Sequence, residues 1–154
     1  MKNILALDVA TNCGWAHSSG PSGTWDLSVK RDESSGMRLI RLVAKLNEMK
    51  AAAGVDLLFF EAAQVYIGHM SGVLVEAEML GTVKLWCEQN NVEYASRNIA
   101  QIKKHATGKG NAKKDMMLAS ARARWSDRQI KTADEADALW LLDLVLTDLA
   151  IAKP

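Results

Sequence analysis

The sequence predicts an α/β fold: a mixed central sheet, three antiparallel strands in a meander plus parallel strands, flanked by helices. Three observations carry this. The apolar runs Ile4-Leu5-Ala6-Leu7 and Leu57-Leu58-Phe59-Phe60 are uninterrupted, as in strands covered on both faces. The first run is followed closely by two more strand-like segments separated by a turn. Beyond residue 34, helical spacing alternates with short strands.

Residues 2–8 form the first strand. Residues 11–19 turn through Gly14 into the second, with Trp15 apolar. Gly20-Pro21-Ser22-Gly23 reads as a tight turn. Residues 24–29 then pair back as a third strand. Ser34-Ser35 can cap a helix to about residue 53, with Leu39, Leu42, Val43, Leu46 and Met49 at helical spacing. Gly54 ends it. Residues 55–61 are a second buried strand. Residues 71–89 read as a helix, with Val73, Leu74, Ala77, Leu80 and Leu85 apolar, and Asn90-Asn91 breaks it. Residues 92–95 are a short strand and 98–105 a short helix. Asn111 can cap a helix to about residue 125. A last helix, about 133–150, carries Ala138, Leu139, Leu142, Val145, Leu146 and Leu149.

The 154 residues are read as one domain, 1–154, with a single core. With 49% apolar residues, 24% charged residues and two prolines, the chain is neither disordered nor of low complexity. No apolar run approaches the roughly 18 residues that span a bilayer. The first apolar stretch is four residues, too short for a secretory signal. Cys13 and Cys87 lack metal or redox spacing. The expectation is a cytoplasmic protein with reduced thiols and no membrane partner.

A net charge of +1 hides an uneven distribution. Residues 97–131 hold ten Lys/Arg against Asp115 and Asp127, a local net of +8. The rest of the chain holds nine basic and sixteen acidic residues, a net of −7. A basic segment inside an acidic chain suggests a surface for a polyanion, against the plain alternative of a solvated helical face.

Four carboxylates stand out by position. Asp8 closes the first buried strand and Glu61 the next. Functional groups in parallel α/β sheets gather at the carboxyl ends of strands, where both lie if their strands are parallel neighbours. Asp134 and Asp137 sit three apart at the start of the last helix and share a face. Each has a plainer reading: a helix N-terminal charge for Asp134, a strand-end surface group for Glu61. Together they suit a divalent cation, because clustered carboxylates repel and burial raises that cost. Mg²⁺ and Mn²⁺ prefer such oxygen ligands. Two ions about 4 Å apart can activate a water and stabilise a leaving oxygen in phosphodiester cleavage.

The ordered set resembles a known family. Ile4-Leu5-Ala6-Leu7-Asp8 with Thr11 and Gly14 is similar to the first strand of RuvC-type Holliday junction resolvases. Phe60-Glu61 followed by Gln64-Val65-Tyr66 resembles that family's second acidic motif. Gln101-Ile102-Lys103-Lys104, continuing through Thr107-Gly108-Lys109-Gly110-Asn111-Ala112-Lys113-Lys114, resembles its basic DNA-contacting stretch. Ala133-Asp134-Glu135-Ala136-Asp137-Ala138-Leu139 resembles its C-terminal acidic helix. No single piece is specific; the order is, and it spans nearly the whole chain.

The resemblance implies an RNase H-like fold and a homodimer that nicks two strands of a four-way DNA junction. It implies Asp8, Glu61, Asp134 and Asp137 as catalytic ligands of two Mg²⁺ ions, with Mn²⁺ able to substitute. It places Lys103 near the scissile phosphate as a catalytic residue. Lys104, Lys109, Lys113 and Lys114 become DNA contacts. From the residues alone, Tyr66 is the aromatic favoured for stacking on an unpaired base, with core packing as the plain alternative. The chain departs from the pattern at Ile67, Gly68 and His69, where bacterial members place an aromatic wedge residue.

Gly108-Lys109-Gly110 lacks P-loop spacing and reads as a basic loop approaching phosphate. His17, His69 and His105 make no metal spacing, and Trp86, Trp125 and Trp140 fit core or dimer contacts. Two alternatives stand beside junction cleavage: an RNase H-fold nuclease acting on RNA, and an inactive DNA-binding module of the same fold. The full set of four carboxylates argues against the second. A sugar-kinase-like ATPase would need a glycine-rich adenosine motif and a longer, duplicated domain.

Overall fold

The computed structural model describes residues 1–64, 68 and 70–152. Five strands, β1 (Ile4–Asp8), β2 (Asn12–His17), β3 (Ser22–Asp26), β4 (Leu57–Glu61) and β5 (Glu93–Arg97), form one sheet in the order β3-β2-β1-β4-β5. The helices are α1 (Gly36–Ala53), α2 (Met70–Gln89), α3 (Ile99–Thr107), α4 (Lys114–Arg124) and α5 (Ala133–Ala152). β1, β2 and β3 pair antiparallel, and β1, β4 and β5 pair parallel. The mixed sheet and the element order match the sequence reading.

Alternation along the central strands divides the core. Ile4, Ala6, Leu57 and Phe59 face α3, α4 and α5, with Met117, Ala121, Leu139, Leu142 and Val145. Leu5, Leu7, Leu58 and Phe60 face α1 and α2, with Leu42, Leu46, Met79 and Val83. Both runs are therefore apolar at every position because β1 and β4 are covered twice. α5 lies across β1 and β2 and is apolar nearly all round, as a buried helix must be.

Local chemistry corrects two boundaries and one capping bond. The turn between β2 and β3 ends by Gly20 (φ 123°), and Ser22 and Gly23 already belong to β3. Ser35 occupies the N-cap of α1 without a side-chain capping bond. Asn111 does not cap α4; Lys113 holds that position. By contrast, Asn98 and Gln101 form a reciprocal capping box on α3, and Gly108 (φ 82°) closes it in the left-handed conformation. Cys13 and Cys87 are free and buried, which pushes both thiols up and keeps them protonated. No helix among the described residues is long and apolar enough to cross a membrane.

Candidate active site

The parallel pairing of β1 with β4 runs to Leu7 opposite Phe60, so Asp8 and Glu61 emerge together at the carboxyl ends of adjacent strands. The antiparallel pairing of β1 with β2 sets Asp8 opposite Gly14. Gly14 in turn lies against the first turn of α5. A Cβ built there would stand 1.9 Å from the Asp134 carbonyl oxygen, so only glycine admits the helix this close. That approach brings Asp134 and Asp137 to the two strand ends.

The four carboxylates feel one another. Burial, then the charges of Asp137, Glu61 and Asp134, push the Asp8 carboxyl well above its usual range, and its side chain hydrogen-bonds that of Asp134. Glu61 is pushed up to about 7 by burial, then by Asp137 and Glu76, with Lys103 opposing. Asp137 is pushed up to about 6 by burial and Asp134, with Lys114 and Lys103 opposing. Four acids thus share a half-buried site with two lysines in electrostatic reach. Among the described residues, no three His, Cys, Asp or Glu side chains converge closely enough to form a ready metal-binding group. Like charges hold apart without a counter-ion. The donor chemistry, all carboxylate oxygen, suits a hard divalent cation.

Asp134 lines a cleft of about 520 Å³ with Thr11, Asn12, Ser71, Glu76 and Lys114. A larger hollow of about 1330 Å³, lined by Leu57, Phe59, Tyr94, Leu146 and Leu149 among others, lies at the opposite strand ends and contains none of the four carboxylates. Of the two hollows, only the smaller one borders a member of the acidic group. Glu76 is a fifth acid at this site that the sequence reading missed. Burial raises its carboxyl too. The available signal was a carboxylate inside the apolar stretch Val73-Leu74-Val75-Glu76-Ala77.

The basic segment divides by residue type. Its arginines serve the fold: Arg97 pairs with Asp148, Arg124 with Asp143, Arg122 donates to the Ile130 carbonyl and Arg128 to Ser22. Lys104, Lys109, Lys113 and Lys114 are exposed and Lys103 is half-buried. Among the described residues none of these five makes an ion pair. Lys103 and Lys114 lie within electrostatic reach of the acids, and Lys104, Lys109 and Lys113 face solvent. His105 hydrogen-bonds Asp143 at 2.8 Å and meets the Trp140 ring edge-on, so it belongs to the α3–α5 packing. His17 is buried between Ser19 and the Gly54 carbonyl. Tyr66, Ile67 and His69 lie outside the described residues.

A five-stranded mixed sheet in this order, with its helices, is the RNase H-like fold in its RuvC form. Thermus thermophilus RuvC superposes with a TM-score of 0.75 at 16% identity, covering 97% of this chain and 96% of that one. The same protein in complex with a Holliday junction substrate superposes at 0.80 and 16% identity, covering 98% and 96%. The yeast mitochondrial Holliday junction resolvase Ydc2 superposes at 0.61 and 12% identity, covering 93% and 77%. No protein-family model matches the sequence.

Proposed function

We propose that this protein is a metal-dependent, structure-selective endonuclease that resolves four-way DNA junctions by paired symmetric nicks. The carrying observation is the gathering of Asp8, Glu61, Asp134 and Asp137 at one sheet end, with Lys103 and Lys114 within electrostatic reach. The likeness to a RuvC fold solved on a Holliday junction supports the choice of substrate.

The four carboxylates would hold Mg²⁺ or Mn²⁺, two ions per site. When bound, such ions supply an activated water and positive charge for the leaving oxygen. Lys103 adds charge beside the acids, where negative charge develops on the phosphate. Lys104, Lys109, Lys113 and Lys114 hold the DNA arms by phosphate contacts.

Symmetric nicking needs a second site, which a two-fold dimer supplies. α2 offers a face for it. Leu74, Ala77, Gly81 and Leu85 are exposed along one side of the helix, with Leu74 and Leu85 exposed by 56% and 59%. A Cβ at Gly81 would meet nothing within 4 Å, so this chain has no use of its own for the missing side chain. A partner helix does.

The test is incubation with labelled four-way junction, fork, duplex and RNA hairpin, with and without Mg²⁺. Paired cuts in the junction alone, only with Mg²⁺, are expected. Cutting of the RNA hairpin in preference would move the protein to the RNA-processing reading. Tight junction binding without cutting in Mg²⁺ or Mn²⁺ would make it a binding module.

A further inference from the structure

Glu135 stands between Asp134 and Asp137 and is 6% exposed, the one buried carboxylate in the first turn of α5. Thr132-Ala133-Asp134-Glu135 has the spacing of a helix capping box, and the Glu135 N–H donates to the Thr132 hydroxyl at 3.0 Å. A simple box would return the glutamate to the N-cap backbone. Here Oε1 accepts from the N–H of Lys131, one residue earlier, at 3.1 Å. Oε2 accepts from the Ser22 hydroxyl on β3 at 2.9 Å. Ser22 accepts in turn from Arg128 at 2.9 Å, which uses the hydroxyl as both donor and acceptor. Beside it, the Thr24 and Thr132 hydroxyls meet at 2.7 Å.

These bonds tie the tip of α5 to the β2–β3 hairpin, and Gly14 sets the depth of the contact. The same hairpin pairs with β1, which carries Asp8. Resting on the nuclease reading above, we infer that Glu135 is a positioning residue. By bridging β3 to α5, it fixes the helix rotation that aims Asp134 and Asp137 at Asp8 and Glu61. Each residue along a helix turns about 100°, so even a fraction of that at the tip re-aims both acids. Support of ligands by such neighbours is worth about 10–100-fold in metal affinity or activity.

The experiment compares wild type, Glu135→Ala, Glu135→Gln and Ser22→Ala. Three quantities are read: Mn²⁺ binding to the DNA-free protein by calorimetry, junction affinity without divalent ions, and the single-turnover cutting rate in Mg²⁺. Asn47→Ala, which removes the acceptor of the Trp86 indole N–H far from the site, serves as a destabilised control. Glu135→Ala should weaken Mn²⁺ binding and slow cutting by about 10-fold or more. Junction affinity should hold within about twofold, because the lysines carry it. Glu135→Gln keeps an acceptor for Lys131 and should restore most of both losses. Ser22→Ala should shift both in the same direction by less, and it carries the test if Glu135→Ala does not fold. Wild-type Mn²⁺ affinity and rate in the Ala variants, or an equal loss in Asn47→Ala, would overturn the positioning role alone. A wild-type protein that neither binds Mn²⁺ nor cuts a junction would overturn the nuclease reading and this inference with it.

Discussion

Gly14→Ala is the smallest change that should separate the two halves of the site. The added methyl carbon would lie 1.9 Å from the Asp134 carbonyl oxygen, 2.3 Å from its carbonyl carbon and 2.9 Å from the Glu135 nitrogen. All three are backbone atoms, so no side-chain rotation relieves them. Reaching 3.0 Å, below which real Cβ contacts essentially never fall, takes about 1.1 Å of movement at the tip of α5. Overpacking of this kind costs about 1–3 kcal/mol. In a chain of this size that lowers Tm by roughly 2–12 °C. The catalytic loss should be larger in proportion, since a misplacement of about 1 Å can cost about 100-fold in rate. Thermal unfolding and single-turnover cutting of a four-way junction measure the two effects on the same preparation. Gly36→Ala is the control: its Cβ would meet only the Ser34 hydroxyl at 3.9 Å, and it should be neutral or slightly stabilising. If Gly14→Ala cuts within about threefold of wild type with an unchanged Tm, the tight approach does not position Asp134 and Asp137, and the reasoning fails.

Further outcomes follow from the same geometry. In the metal-free protein, the folded state holds protons on Glu61 to about pH 7 and on Asp137 to about pH 6, whereas the unfolded chain releases them near their usual values. Folded protein thus binds more protons, and stability should fall as pH rises from about 5 to 8, by a cost on the order of 3 kcal/mol for Glu61; a flat or rising Tm in chelator over that range would refute it. Asp8→Asn removes an acid raised by burial and by the charges of Asp137, Glu61 and Asp134, so it should raise the metal-free Tm at pH 8 while cutting drops below a tenth of wild type and junction binding persists. Retained cutting would remove Asp8 from the ligand set. Lys113→Ala with Lys114→Ala should weaken junction binding and flatten the log–log salt slope by about 1–2. Lys103→Ala should instead slow cutting at saturating enzyme more than it weakens affinity, and an unchanged rate there would make Lys103 a docking residue only. Leu85→Glu on α2 should give monomers in sedimentation without unfolding the chain, since Leu85 is 59% exposed; an unchanged dimer would place the interface elsewhere.

Much of the fold was legible because two strands are buried on both faces. Ile4-Leu5-Ala6-Leu7 and Leu57-Leu58-Phe59-Phe60 leave few alternatives to adjacent central strands, and Asp8 and Glu61 at their ends then mark the open end of the sheet. The caps were less legible. Ser, Asn and Asp are frequent in loops for several reasons, so Ser35 and Asn111 look like caps without making the bond, whereas Asn98 makes it. Glu76 escaped notice because the local signal, a carboxylate in an apolar stretch, does not say that α2 brings it beside Glu61 on β4. The division of the basic segment also needed three dimensions. Net charge counts Arg122 and Arg128 with the lysines, yet their guanidinium groups donate to the Ile130 carbonyl and the Ser22 hydroxyl.

Gly14 and Glu135 share a physical reason for being where they are. α5 has two incompatible tasks. From Ala136 to Val145 it is core, with Ala138, Leu139, Trp140, Leu141 and Leu142 all buried against the sheet and α4. At its N-terminal end it also presents Asp134 and Asp137 to other acids that repel them. Apolar packing resists sliding poorly, because it is non-directional and tolerates small rotations. Repulsion from Asp8 and Glu61 would exploit that freedom by pushing the tip outward. Directional bonds oppose it: Thr24 to Thr132, Ser22 to Glu135, and the Lys131 N–H to Glu135. Glu135 places a further buried carboxyl beside acids that already repel one another. Its bonds to Ser22 and to the Lys131 N–H account for a carboxyl at this position, and the acids on either side of it are what the register of the helix tip would control.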